Sequence, residues 1–246
     1  MLRIREFSIR VDEPVSPWIF PFLTEAPGNQ FFIIAGAILL FCDAPFLNES
    51  AGWNILRSGR RSWFWGNFLY ILIMALAYSI VISVLPNLFL LPQVKLTGEW
   101  GKVLGALAQT GAASEIGIRN LNYSLMVQYT PLLAMFLTVM AVWLNSVLIG
   151  MVCFTFNLVA GKGSGIFVSA MIGLTPMLVR CLAKLYVGYY TAPPMWMDIS
   201  VYNWNGYGKF PSVWYIYAVL LGLIVALSIA GYIGMRTKDL HMTEEI

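Results

Sequence analysis

Residues 213–235 read VWYIYAVLLGLIVALSIAGYIGM, an apolar run that stops at Arg236-Thr237-Lys238. An α-helix rises 1.5 Å per residue, so roughly 20 apolar residues cross a hydrocarbon core ~30 Å thick. This run is long enough and holds no Asp, Glu, Lys or Arg. Its basic terminus suits the boundary between membrane and water.

The same test applied upstream finds four more stretches. Residues 131–157, PLLAMFLTVMAVWLNSVLIGMVCFTFN, open on a proline, which starts a helix well because its missing N–H would be unpaired there. Residues 68–91 are long and uncharged, with Pro86 near the far end. Residues 166–189 are interrupted by Thr175-Pro176 and carry Arg180 and Lys184 one turn apart, the pattern of a span with an amphipathic continuation. Pro176 removes one backbone hydrogen bond, a loss that a Thr hydroxyl or a neighbouring helix can offset in a membrane. Residues 29–46 are the shortest and carry Asp43 near their end, which must lie at an interface or inside protein because a carboxylate at the bilayer centre is costly. The expected fold is therefore all-α, a polytopic integral membrane helix bundle of about five transmembrane helices forming one domain over 1–246. Composition agrees: 59% hydrophobic, 11% charged and a mean hydropathy of +0.73 lie outside the soluble range.

Lys and Arg are retained on the cytoplasmic side of short connections, so orientation follows from them. The 47–67 connection holds Arg57, Arg60 and Arg61 against Glu49, and the C-terminal tail opens with Arg236 and Lys238. Both are expected in the cytoplasm, with the Gly161–Gly165 turn on the same side by parity. The 92–130 and 190–212 loops then face outward. The protein is expected to be a multi-pass protein of the bacterial cell membrane with a cytoplasmic C-terminus. Five spans place the N-terminus outside, yet MLRIREFSIR carries three arginines. A chain that begins after a lost first span would show this pattern, with residues 14–28 as the loop that follows it, and that is the expectation adopted.

Chemistry-bearing motifs are missing from the sequence. Gly161-Lys162-Gly163-Ser164 superficially suggests a phosphate loop, but Phe156 stands where the first glycine belongs and Gly163 where a Ser or Thr must bind magnesium. Cys42, Cys153 and Cys181 lie in or beside apolar runs without ligand spacing, and the single histidine is His241 in the tail. No catalytic residue, metal site or cofactor is expected, and neither is nucleic-acid binding.

The connection Asn48–Asn67 contains more than topology needs: a helix-capable piece, a basic cluster, then Trp63 and Trp65. Two readings are open. The arginines can meet anionic lipid heads while the tryptophans mark the interface. Alternatively Trp53, Ile55 and Leu56 anchor a partner protein, and Arg57, Arg60 and Arg61 pair with its acidic residues.

The phrase FCDAPFLNESAGWNILRSGRRSWFWGNFLYI (41–71), with the long span after it, resembles the second span, cytoplasmic connection and third span of bacterial permeases of the type-2 ABC exporter group. More loosely, so do WIFPFL (18–23) and the last span with its short basic tail. The resemblance implies six spans with both termini cytoplasmic, of which these would be numbers two to six, and short re-entrant outer helices within 180–211. It implies a coupling segment at 48–66 that docks on a cytoplasmic ABC ATPase subunit, and a second permease copy or homologue as partner. ATP hydrolysis is then expected in the separate subunit. An accessory or immunity subunit of the membrane that transports nothing is the alternative. A secondary transporter is third, because the spans lack repeated carboxylates.

Polar residues within the spans are Asp43, Asn145 with Ser146, Asn157 and Thr175. Hydrogen bonding between helices is the simple expectation. A sharper one places Asn145 and Ser146 on a transport path. Asp43 is expected to pair with Arg57, Arg60 or Arg61 and so fix the coupling segment to its span.

Overall fold

The computed structural model describes residues 1–46, 57–118, 121–181, 186–204 and 209–237. Its long helices are α3 (Pro27–Phe41), α4 (Arg60–Leu90), α8 (Pro131–Ala160), α9 (Ser164–Cys181) and α11 (Val213–Thr237). Shorter ones are α1 (Leu2–Val11), α2 (Phe20–Leu23), α5 (Lys102–Gln109), α6 (Ala112–Glu115), α7 (Tyr123–Gln128) and α10 (Gly188–Thr191). Among the described residues there is no strand, only isolated bridges Val15–Val94 and Asn203–Ser212.

Among the described residues four helices, α4, α8, α9 and α11, are long and apolar enough to cross a membrane. The exposed sides of α4 and α11 are apolar: Leu69, Ile73 and Ile80 on one, Leu221, Val225 and Ile229 on the other. Contiguous apolar faces of this kind are stable only against lipid or another apolar surface. The chain is thus an all-α polytopic membrane helix bundle.

The fifth expected span takes a different form. α3 is 15 residues long, which at 1.5 Å per residue is about 22 Å, less than a hydrocarbon core. Its chain leaves the helix in an irregular turn over 42–46, where Phe46 has a positive φ of 54°. Another end shifts as well. α4 begins at Arg60, ahead of the apolar window at Phe68, because backbone hydrogen bonding continues into the aromatic interface beyond the lipid. α9 is described as far as Cys181, and residues 182–185 of the expected 166–189 span lie outside the described residues. Inside α9, the Thr175 hydroxyl donates to the Ile172 carbonyl at 2.6 Å, the carbonyl four residues before Pro176 that has lost its amide donor.

α8 is the axis of the bundle, with 61% of its apolar window buried against 22% for each of the other three spans. It packs on α3, α4, α9 and α11. Close approach is set by small residues. At Gly165 an added Cβ would stand 2.6 Å from the Cys153 Cα and 2.7 Å from its carbonyl oxygen, so α9 can lie this near α8 only with glycine there.

The end bearing the 92–130 loop is capped by the N-terminal segment. Val15 exchanges backbone hydrogen bonds with Gln93 and Lys95, the Ser16 hydroxyl donates to the Trp100 carbonyl, and the Trp18 indole donates to the Thr97 carbonyl at 2.7 Å. Arg3 donates to the carbonyls of Ile116 and Gly117. The described residues of 1–19 and 92–130 therefore share one end.

Candidate functional site

Five of the described basic residues lie at the opposite end. Gly59, with φ 80°, turns the chain into α4, and Arg57, Arg60, Arg61, Lys162 and Arg236 are all exposed there. Arg60 donates to the carbonyls of Met235 at 3.4 Å and Arg236 at 3.3 Å. Carbonyls toward a helix C-terminus carry partial negative charge, so this guanidinium ties the start of α4 to the last described turn of α11. The Arg236 guanidinium lies over the Tyr232 ring at 5.2 Å. Tyr232, Phe64 and Phe154 stack edge to face at 5.5 and 5.7 Å, pinning α11, α4 and α8 together.

Asn157, near the end of α8, makes a second clasp. Its amide nitrogen donates to the carbonyls of Cys42 at 2.9 Å and Ala44 at 2.7 Å. Its amide oxygen accepts from the backbone N–H of Gly163 at 3.2 Å and Gly165 at 2.9 Å. One side chain thus holds the turn after α3 and the turn between α8 and α9. The Ser164 hydroxyl fixes that second turn further through the carbonyls of Phe156 and Gly161, both at 2.8 Å.

The 48–66 segment is anchored at both ends. Residues 47–56 lie outside the described residues; on one side of them the turn 42–46 is held by Asn157, and on the other the start of α4 is held to α11 by Arg60. Of the segment's expected contact residues, Trp53, Ile55 and Leu56 lie outside the described residues. Arg57 and Arg61 are exposed and make no ion pair among the described residues, whereas Arg60 is engaged with α11. Asp43 is exposed, and among the described residues it forms no ion pair with Arg57, Arg60 or Arg61.

Asn145 and Ser146 sit in the sealed interior of α8, at 1% and 0% exposure. The Asn145 amide donates within its own helix to the Ala141 carbonyl at 2.9 Å, while its oxygen and the Ser146 hydroxyl have no partner among the described residues. Neither residue lines the ~920 Å³ cleft at the capped end or the ~330 Å³ groove on the side of the bundle.

Sequence reasoning did not find the internal ion pair at the capped end. Arg180 donates to Asp198 at 3.3 Å and to the Glu25 carbonyl at 2.5 Å, and Asp198, at 2% exposure, also accepts from the Ser200 amide and hydroxyl. Around it, Pro193–Met197 and Ile199–Val201 form two 3-10 turns with Met195, Trp196, Met197 and Ile199 buried against α3, α8 and α9. The available signal was an apolar Met195-Trp196-Met197 after two prolines, in a stretch otherwise rich in turn residues. The Tyr202 phenol donates to the Trp196 carbonyl at 2.8 Å and the Trp204 indole to the Tyr129 oxygen at 2.6 Å. Burial pushes the phenols of Tyr202 and Tyr129 above the usual tyrosine range, the Trp204 donor partly opposing this at Tyr129.

Among the described residues no group of His, Cys, Asp and Glu converges to hold a metal ion. The fold and its two ends define a polytopic membrane helix bundle. No protein family, curated protein or solved structure matches the chain.

Proposed function

We propose that this protein is the membrane-spanning permease subunit of an ATP-driven exporter, working with a separate cytoplasmic ABC ATPase and a second permease copy or homologue. The observation that carries this is the double anchoring of the 48–66 segment. A push on that segment is received by the turn after α3, which Asn157 ties to α8 and α9, and by the start of α4, which Arg60 ties to α11. A partner docked there therefore acts on every long helix of the bundle.

The sealed surroundings of Asn145 and Ser146 bear on the route. With the axis helix packed on all sides, a substrate path belongs at the interface between two permease subunits, not through one chain. Docking of an ATPase relies on the free arginines, because rim charges steer association and pair with acidic groups on a partner.

Affinity purification of the tagged protein from its native membranes tests the proposal. A nucleotide-hydrolysing partner is expected to co-purify and to be lost on Arg57→Glu combined with Arg61→Glu, two exposed positions that leave the α11 contact of Arg60 in place. Co-purification unchanged by the double substitution would refute docking at this segment. Purification with membrane proteins but no nucleotide-hydrolysing subunit would favour an accessory or immunity role.

A further inference from the structure

The groove of about 330 Å³ runs along the side of the bundle between α3 and α4, with Met1 of the α1 end contributing to it. Phe32 and Ile33 form one wall; Ile82, Leu85, Pro86 and Phe89 form the other. Phe32 is 71% and Phe89 53% exposed, so the groove opens among the apolar outer faces of the helices, where the surrounding medium is hydrocarbon. Its volume lies at the lower end of the ~300–1,000 Å³ typical of small-molecule sites.

α1 brings charge to this apolar slot. Met1, which lines it, and Arg5 are one helical turn apart on the same face, the Arg5 amide donating to the Met1 carbonyl at 3.1 Å. Arg5 is half-buried, and its Nε is shielded from solvent with no partner among the described residues. Asn87, beside the groove-lining Pro86, holds its Oδ1 in the same condition. Arg3 differs, being engaged by the carbonyls of Ile116 and Gly117. The terminal nitrogens of Arg5 are not shielded and have no acceptor among the described residues, and a phosphate oxygen is the strong acceptor that a membrane surface supplies.

We infer that the groove is a binding site for one anionic glycerophospholipid, with an acyl chain between α3 and α4 and the phosphate on Arg5. The site is independent of the transport proposal, since it needs only the bundle and the bilayer.

The test uses the full chain in nanodiscs, with photoreactive acyl chains carried on either phosphatidylglycerol or phosphatidylcholine. Labelling mapped to residues 82–89 is expected to favour phosphatidylglycerol about fivefold, the weight of one basic residue near an anionic surface. Arg5→Gln is expected to bring that ratio to about one, and Arg5→Lys to keep most of it. Leu85→Trp, at a position exposed enough to accept the larger ring, is expected to remove labelling in the groove while leaving it unchanged on α11 around Leu221. Equal labelling by the two lipids in the parent chain, or groove labelling that survives Leu85→Trp, would overturn the site and indicate bulk lipid only.

Discussion

Replacing Asn157 by Leu keeps the side chain's shape, branched at Cγ, and deletes four hydrogen bonds at once. The amide donates to Cys42 and Ala44 at 2.9 and 2.7 Å and accepts from Gly163 and Gly165 at 3.2 and 2.9 Å. Hydrogen bonds in membrane proteins contribute ~0.6 kcal/mol each on average, and those in proteins generally ~1 kcal/mol. Four of them amount to about 2.5–4 kcal/mol, toward the upper part because Asn157 is 8% exposed and water has little access. The assay is reversible unfolding in mixed micelles, followed by helical circular dichroism. Asn157→Asp separates the halves of the clasp: it keeps the acceptor for the two glycine amides and sets a carboxylate against two carbonyls. It is expected to destabilise the protein, with loosening first at Cys42 and Ala44, detectable as faster thiol labelling of Cys42. A loss below about 0.5 kcal/mol for Asn157→Leu would refute the clasp.

Three further outcomes are expected. Gly165→Ala should cost about 1–3 kcal/mol in the same assay, because its Cβ would meet the Cys153 backbone, which cannot rotate away, whereas Gly222→Ala, with nothing within 4 Å, should be neutral or gain up to ~1 kcal/mol. Asp198→Ala should destabilise by about 1–3 kcal/mol and speed proteolysis within 186–204, since it removes the carboxylate facing Arg180, which keeps its Glu25 carbonyl, and both Ser200 contacts. The folded-state pKa values of Tyr129 and Tyr202 are raised, so the stability they contribute is fully present below the ordinary tyrosine pKa of about 10 and declines as pH rises above it. Absorbance titration should show these two phenols ionising above the ordinary tyrosine range, with unfolding favoured from about pH 10 upward.

The long helices were legible because a membrane span declares itself within one continuous window of about 20 residues. α4, α8 and α11 needed nothing more, and the boundary shift at Arg60 arises where hydrogen bonding outruns hydropathy. α3 was harder. Its apolar window included Cys42–Phe46, but the backbone there turns to meet Asn157, a partner 113–115 residues away in sequence. Distance in sequence also hid the Arg60 contact with the last described turn of α11 and the Arg180–Asp198 pair. Charge alone grouped Arg57, Arg60 and Arg61 but could not show that Arg60 is engaged while Arg57 and Arg61 are exposed without ion pairs. Residues 193–201 fell both in the expected outer loop and in the expected re-entrant stretch, and their burial depends on a cavity that only the packed α3, α8 and α9 create.

The most direct measurement of the central claim is photo-cross-linking from a reactive amino acid placed in turn at Trp53, Ile55 and Leu56 of the protein in its native membranes. Exporter coupling through this segment predicts the same nucleotide-hydrolysing polypeptide as the adduct at one or more of these positions, with yield that changes on ATP binding. Adducts with lipid alone, or with a membrane protein that binds no nucleotide, would contradict it.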